Sequence, residues 1–262
     1  MNELLLCASV VVIFGSVVLS YRLFGAAGLY CISAVAVILA NVEVLILVDA
    51  FGMEQTLGNV LFASTFLVTD ILSECEGRRA ANRAVWMGMF VSAFFLVVSQ
   101  SWMLYQPAPD DWASGAIRTV FSNTPRLMVA SLAVYLVSQL FDVWLYHRWW
   151  SLTERLTGSR DRFLWLRNNG STLVSQLINT VLYSLLAFWG VYDASTLLSI
   201  IASSYLIYIA TSLLDTPALY LARRIKRTRG VGVALPGDGR GGASPLSPDD
   251  AADGRGRPGE VR

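Results

Sequence analysis

The sequence predicts an all-α, polytopic membrane protein, a bundle of six to seven transmembrane helices. Hydrophobic residues make up 55% of the 262-residue chain and charged residues only 15%. The apolar residues come in runs long enough to cross a bilayer, which takes about 20 residues of helix. Lys and Arg gather in short clusters between those runs. A soluble domain with so few charges would have little to keep its surface wet. The net charge of +1 gives no reason to expect nucleic acid as a partner; the lipid bilayer is the partner the composition demands.

Seven runs meet the length criterion: 4–21, 28–50, 57–74, 85–105, 127–146, 171–191 and 196–221. The first opens Met1-Asn2-Glu3 with no basic residue before it and leads directly into the second. It therefore reads as a retained helix, not a cleaved secretory signal. The third is short and follows Gly52-Met53-Glu54-Gln55 and Gly58, the Gly-interrupted pattern that lines transporter sites. From residue 230 the chain turns to Gly, Pro, Asp, Ser and Arg with scarcely a large apolar side chain, too little to bury for a fold. The expected organisation is a transmembrane domain at 1–225 and a disordered cytoplasmic tail at 226–262.

Charge sets the orientation. Arg78, Arg79 and Arg83 follow the third run; Arg148, Arg155, Arg160, Arg162 and Arg167 follow the fifth; Arg223, Arg224, Lys226, Arg227 and Arg229 follow the last. Cytoplasmic loops carry such clusters. All three are cytoplasmic together only with the N-terminus outside and the tail inside. The tryptophans, Trp86, Trp102, Trp112, Trp144, Trp149, Trp150, Trp165 and Trp189, fall mostly near run ends, where amphipathic rings settle at the headgroups.

Catalytic and metal chemistry find few parts. Cys7, Cys31 and Cys75 lack ligand spacing, and His147 is the sole histidine. No H-E-x-x-H, G-x-S-x-G or phosphate loop occurs. Asp142 and Asp215 could face each other as an aspartyl protease requires, but their surroundings do not resemble one. No enzyme activity, catalytic residue, metal or cofactor is expected.

The informative residues are polar ones inside the runs. A carboxylate at the bilayer centre costs roughly 2.5–3.5 kcal/mol even on the lenient insertion scale. Asp70 and Glu74 stand four apart on the third run, Gln139 and Asp142 three apart on the fifth, and Asp215 on the seventh in a stripe with Tyr205, Tyr208 and Ser212. The sixth opens with Asn168 and Asn169, followed by Thr172, Gln176 and Asn179. With the topology above, acids and amides from four helices reach a similar depth in the cytoplasmic half. That predicts a shared interior chamber. Each has a plainer reading. Asp70 and Glu74 could pair with Arg78 and Arg79, and Asn168 and Asn169 could cap the sixth helix. Gln139, Gln176 and Asn179 could join helices, Asp142 could pair with His147 or Arg148, and Asp215 could satisfy backbone freed by Pro217.

Several stretches together resemble a known family: F-L-V-T-D-I-L-S-E-C-E-G-R-R at 66–79, A-V-W-M-G at 84–88, T-P-R-L-M-V-A-S at 124–131, S-Q-L-F-D-V at 138–143, L-W-L-R-N-N-G-S-T-L-V-S-Q at 164–176 and L-L-D-T-P at 213–217. In that order they resemble the queuosine precursor transporters of bacterial inner membranes, over about residues 1–225. The resemblance implies import of 7-deazaguanines, such as the 7-cyano or 7-aminomethyl base or queuine, and a substrate site drawn from Asp70, Glu74, Trp86, Arg126, Gln139, Asp142, Asn168, Asn169, Gln176, Asn179, Tyr205 and Asp215. A carboxylate can accept the ring N–H and exocyclic amine side by side; Asp70 or Asp142 fits that part, and Glu74 or Asp215 an ammonium. Asn168, Asn169 or Gln176 fits the carbonyl, and Trp86 or Tyr205 the flat ring. The chain departs from the family pattern at Asn179, where an acid is usual, and at Tyr208, where a lysine is usual. Two alternatives stand beside transport by this chain alone: the substrate-binding subunit of an ATP-driven importer, and a non-transporting scaffold or receptor. Small residues on several runs permit a homodimer.

Overall fold

The computed structural model of the protein describes residues 1–122, 125–158 and 163–232. Among these residues it is a helical bundle: α1 Asn2–Phe24, α2 Ala26–Glu43, α3 Gly58–Cys75, α4 Arg78–Ser101, α5 Ser114–Ser122, α6 Pro125–Thr157, α7 Leu164–Phe188 and α8 Ala194–Gly232. Six of them, all but α3 and α5, are long and apolar enough to cross a membrane. At 1.5 Å per residue the 23 residues of α1 span about 34 Å, more than the roughly 30 Å of hydrocarbon, and the 18 residues of α2 about 27 Å.

Connections are short where glycine permits. Gly77, at φ 88°, ends α3 and starts α4 with no intervening loop, a conformation that costs a Cβ-bearing residue but not glycine. Gly25, at φ 66°, does the same between α1 and α2.

The second predicted run, 28–50, does not continue as helix. It stops at Glu43, and Leu47–Ala50 forms strand β1, paired antiparallel with β2, Met53–Thr56, in register Leu47↔Thr56 and Ala50↔Met53. Phe51 and Gly52 turn the hairpin with φ of 55° and 72°, the paired positive values of a two-residue hairpin turn. An apolar run carries no sign of where helix gives way to strand, so hydropathy extended the helix too far. The other ends differ less: α6 begins at Pro125 and runs on to Thr157, and α7 begins at Leu164, seven residues before the predicted start of the sixth run. Helix α8 continues past the expected boundary at 225, with the Lys226 ammonium donating to Glu76 at 2.9 Å. The rest of the predicted tail, 233–262, lies outside the described residues.

Helix α3 is the axis of the bundle. Fifteen of its eighteen residues are buried, and α1, α2, α4, α6 and α8 all pack on it. Phe66, Leu67, Val68, Ile71 and Leu72 fill the core around it. The lipid-facing side is as apolar as the core: Trp86, Phe90, Phe94 and Val97 form an outward stripe on α4, each more than half exposed. One end of the bundle carries the hairpin and the α7–α8 turn. There Asp193 caps α8: the Ser195 and Thr196 hydroxyls and the backbone amides behind them hold its carboxylate well below the ordinary range. The other end carries Gly77 and the arginine clusters.

Candidate functional site

Polar side chains form a column along α3 from the hairpin end to the arginine end. Asn59, Thr65, Asp70 and Glu74 mark four levels spanning about 22 Å of helix axis.

At the hairpin end lies a cavity of about 680 Å³, within the range of roughly 300–1,000 Å³ common to small-molecule sites. The hairpin and six helices contribute to its wall. Phe62 of α3 meets Tyr135 of α6 edge-on, ring centroids 6.2 Å apart, and Tyr208 of α8 at 6.3 Å. Tyr208 donates its hydroxyl to Asn59 Oδ1 at 3.1 Å and lies beside Asn179 of α7. Gln55, from β2, closes the side above.

Below it, Gln139 of α6 bridges two levels of α3: its amide donates to Thr65 Oγ1 at 2.6 Å, and its carbonyl accepts from Thr69 Oγ1 at 3.1 Å. Next come the acids. Asp70, Asp142 and Asp215, from α3, α6 and α8, are 0%, 0% and 2% exposed. Thr172 donates to Asp70 Oδ2 at 3.0 Å, and Asn168 to Asp215 Oδ1 at 2.8 Å. Asp142 lies against Asp70, Ser171 and Ser175, yet neither of its oxygens meets a protein donor in bonding geometry. No Lys, Arg or His among the described residues forms an ion pair with the three acids. Asn169 donates to Thr216 Oγ1 at 2.9 Å, beside the proline of α8.

At the arginine end, Glu74 is fully engaged. Arg167 Nη2 reaches both its oxygens at 3.1 and 2.9 Å, Tyr146 donates at 2.7 Å, and Arg223 stands at 3.4 Å. Arg167 is itself 0% exposed, its guanidinium over the Trp150 ring at 4.6 Å.

Inside the bundle the structure brings Asp70, Asp142, Asn168 and Asp215 near one another, with Gln139, Asn169 and Gln176 buried on the same helices. The cavity of about 680 Å³ lies at the hairpin end, away from these acids. Of the twelve expected site residues only Asn179 lines the cavity, because each turn of the interior between the acids and the hairpin end is filled by side chains such as Phe66 and Gln139. Trp86 is 54% exposed on the outer face of α4. Arg126 is spent on the end of α7, donating to the carbonyls of Leu186 and Trp189 at 3.1 and 2.8 Å. Tyr205 donates to the Leu173 carbonyl at 3.3 Å. Glu74 belongs to the ion pair, its partners being Arg167 and Arg223 in place of Arg78 and Arg79. Asn168 and Asn169 do not cap α7, whose N-cap is Phe163; they sit in its second turn. The cavity residues Asn59, Phe62, Tyr135 and Tyr183 went unnoticed because an aromatic or lone amide in a span reads as packing.

A bundle of lipid-faced helices around a cavity and a buried polar column defines a multi-pass membrane transporter. A family model described as "Putative vitamin uptake transporter" matches residues 56–222. A Bacillus subtilis protein named "Probable queuosine precursor transporter" is 40% identical over 209 residues, 80% of this chain and 89% of that one. The Escherichia coli "Queuosine precursor transporter" is 26% identical over 155 residues, 59% of this chain and 65% of that one. No solved structure matches. The chain belongs to the queuosine precursor transporter family.

Proposed function

We propose that the chain imports 7-deazaguanine precursors of queuosine across the bacterial inner membrane and takes them into the cavity at the hairpin end. The 40% identity to the Bacillus subtilis protein, along most of both chains, carries the substrate class. The cavity supports the location. A deazaguanine is a flat ring with donors and an acceptor on its edge. Phe62, Tyr135, Tyr183 and Tyr208 offer aromatic faces and edges, and Asn59, Asn179 and Gln55 offer amides that both donate and accept.

The basic clusters support a cytoplasmic arginine end. The N-terminus, the hairpin and the cavity then face outward, where a base would be captured. The ion pairs of Glu74 with Arg167 and Arg223 close the inner side in this conformation.

Queuosine in tRNA, measured in a bacterium unable to make the precursors but supplied with one in the medium, tests the reading. Expression of this chain should restore queuosine. Asn59→Leu with Asn179→Leu should weaken uptake by roughly tenfold or more, each lost buried hydrogen bond being worth about 1 kcal/mol. No queuosine with a chain present in the membrane would refute import; unchanged uptake in the double variant would refute the cavity as the site.

A further inference from the structure

The acids at the middle of the column are left without a role once the base sits in the cavity above them, about 16 Å away along α3 from Asn59. Their own geometry is unusual. The carboxyl groups of Asp70 and Asp142 face each other within hydrogen-bond reach across α3 and α6, with both side chains fully buried. Carboxylates are acceptors only, so in a site this dry two of them in contact require a proton between them.

No charged donor reaches Asp142 among the described residues. Ser171 and Ser175 lie beside it but commit their hydroxyl protons to the carbonyls of Arg167 and Ser171, at 2.9 and 2.8 Å. Neither brings a positive charge to it. Thr172 is used by Asp70 and the Asn168 amide by Asp215. That leaves Asn168 Oδ1, on a side chain 0% exposed and with no protein donor, as one more acceptor in the same cluster. The set is rich in acceptors and lacks a positive side chain. Among the described residues no three acidic, His or Cys side chains converge as ligands for a transition metal. The other titratable or charged groups near this level are Glu74 on α3, Tyr146 and His147 on α6, Arg167 on α7, Arg223 on α8, Arg78 on α4 and Tyr21 on α1. Glu74, Tyr146, Arg167 and Arg223 bond to one another, Tyr21 donates to Glu76, and His147 stacks on Trp150.

We infer that Asp70 and Asp142 share one proton, and that this pair, with Asn168 and Asp215 beside it, is a proton-binding site distinct from the base cavity, coupling inward movement of the base to that of a proton. The coupling half of the inference rests on the transport reading above; the shared proton does not. The site lies between the Gln139 bridge, on the hairpin side, and the Glu74–Arg167 pair, on the arginine side. A proton held there is positioned for access from one side at a time.

The test uses the full chain in sealed lipid vesicles. Infrared spectra at neutral pH, with no base present, should carry a protonated-carboxyl C=O band that Asp70→Asn and Asp142→Asn each remove. Absence of that band from the unmodified protein overturns the proposal. With 7-cyano-7-deazaguanine outside and the membrane potential clamped, a one-unit pH step, acid outside, should give about tenfold accumulation if one proton accompanies each base. Asp142→Asn should lose accumulation while still binding the base and exchanging labelled base across the membrane. Accumulation by the unmodified protein that follows a sodium gradient instead of pH overturns the coupling. So does full accumulation by Asp142→Asn, and so does loss of base binding in it, which would return the acids to the substrate site. These infrared and gradient measurements on unmodified protein decide the matter even where a variant fails to fold. An unmodified protein that shows the band but binds no deazaguanine refutes the substrate reading alone.

Discussion

Removing Arg167 should be among the most damaging single changes available in this protein. Its guanidinium is fully buried and bonds both oxygens of Glu74, whose side chain is 3% exposed. Breaking a buried pair from one side leaves an unpaired charge and typically costs about 3–5 kcal/mol. In Arg167→Ala the Tyr146 hydroxyl, 2.7 Å from Glu74, and Arg223, at 3.4 Å, remain to offset part of that. Loss of the cation–π contact with Trp150 adds back about 1 kcal/mol. A net loss near 3 kcal/mol is expected, about two orders of magnitude in the folding equilibrium. Reversible unfolding in mixed micelles, titrated with a denaturing detergent and followed by tryptophan fluorescence, measures it. Removing both charges together, as Arg167→Met with Glu74→Gln, should recover much of the loss, since a buried pair replaced whole is often neutral. A loss under about 1 kcal/mol for Arg167→Ala, or a double variant no more stable than the single, would refute the reasoning.

Three further outcomes follow from the same structure. Asn179→Asp and Tyr208→Lys, which face each other at the cavity floor, should each reduce folded protein in the membrane, a lone charge at that depth costing roughly 2.5–3.5 kcal/mol. The double variant should fare better than either, as measured by folded yield and uptake; equal damage in all three would sink the pairing. Gly88→Ala puts a Cβ against the Tyr135 phenol, so it should cost about 1–3 kcal/mol and weaken base binding by shifting a cavity wall, read by thermal unfolding with and without base. Trp86→Ala, on the lipid-facing stripe of α4, should leave uptake intact in the transport assay; a loss of transport there would mean that α4 is turned differently.

Much of this architecture was legible in the sequence. Lipid imposes a length on every span and forbids unpaired polar groups, so runs and breaks mark the helices, and Asp70, Asp142 and Asp215 had to turn inward toward one another. What could not be read was the vertical order of the interior. Asn168 and Asn169 sit where either a helix cap or a buried second turn would fit, and only the start of α7 at Leu164 decides between them. Arg167 counted as one more loop arginine until Glu74 was found opposite it. Strand β1 opens Leu47-Val48, as apolar as the helix it follows, so nothing in hydropathy marked where that helix ends; β2, Met53–Thr56, falls in the break between the second and third runs. The cavity, finally, is a property of packing: Phe62, Tyr135 and Tyr208 look like core, and line a space only because the hairpin and the α7–α8 turn hold the helices apart above them.

The burial of α3 on all sides bears on how the protein is made. It is not among the six helices apolar enough to enter a bilayer by hydropathy, and Asn59, Thr65, Thr69 and Asp70 would each meet hydrocarbon if it entered first. Its stable residence in the membrane therefore waits on neighbours translated later: α6, α7 and α8 supply Gln139, Thr172 and Tyr208 as partners for those groups. Biogenesis must hold this segment at the insertion machinery or the membrane surface until the C-terminal helices emerge, and a chain truncated before α7 should be cleared as unassembled.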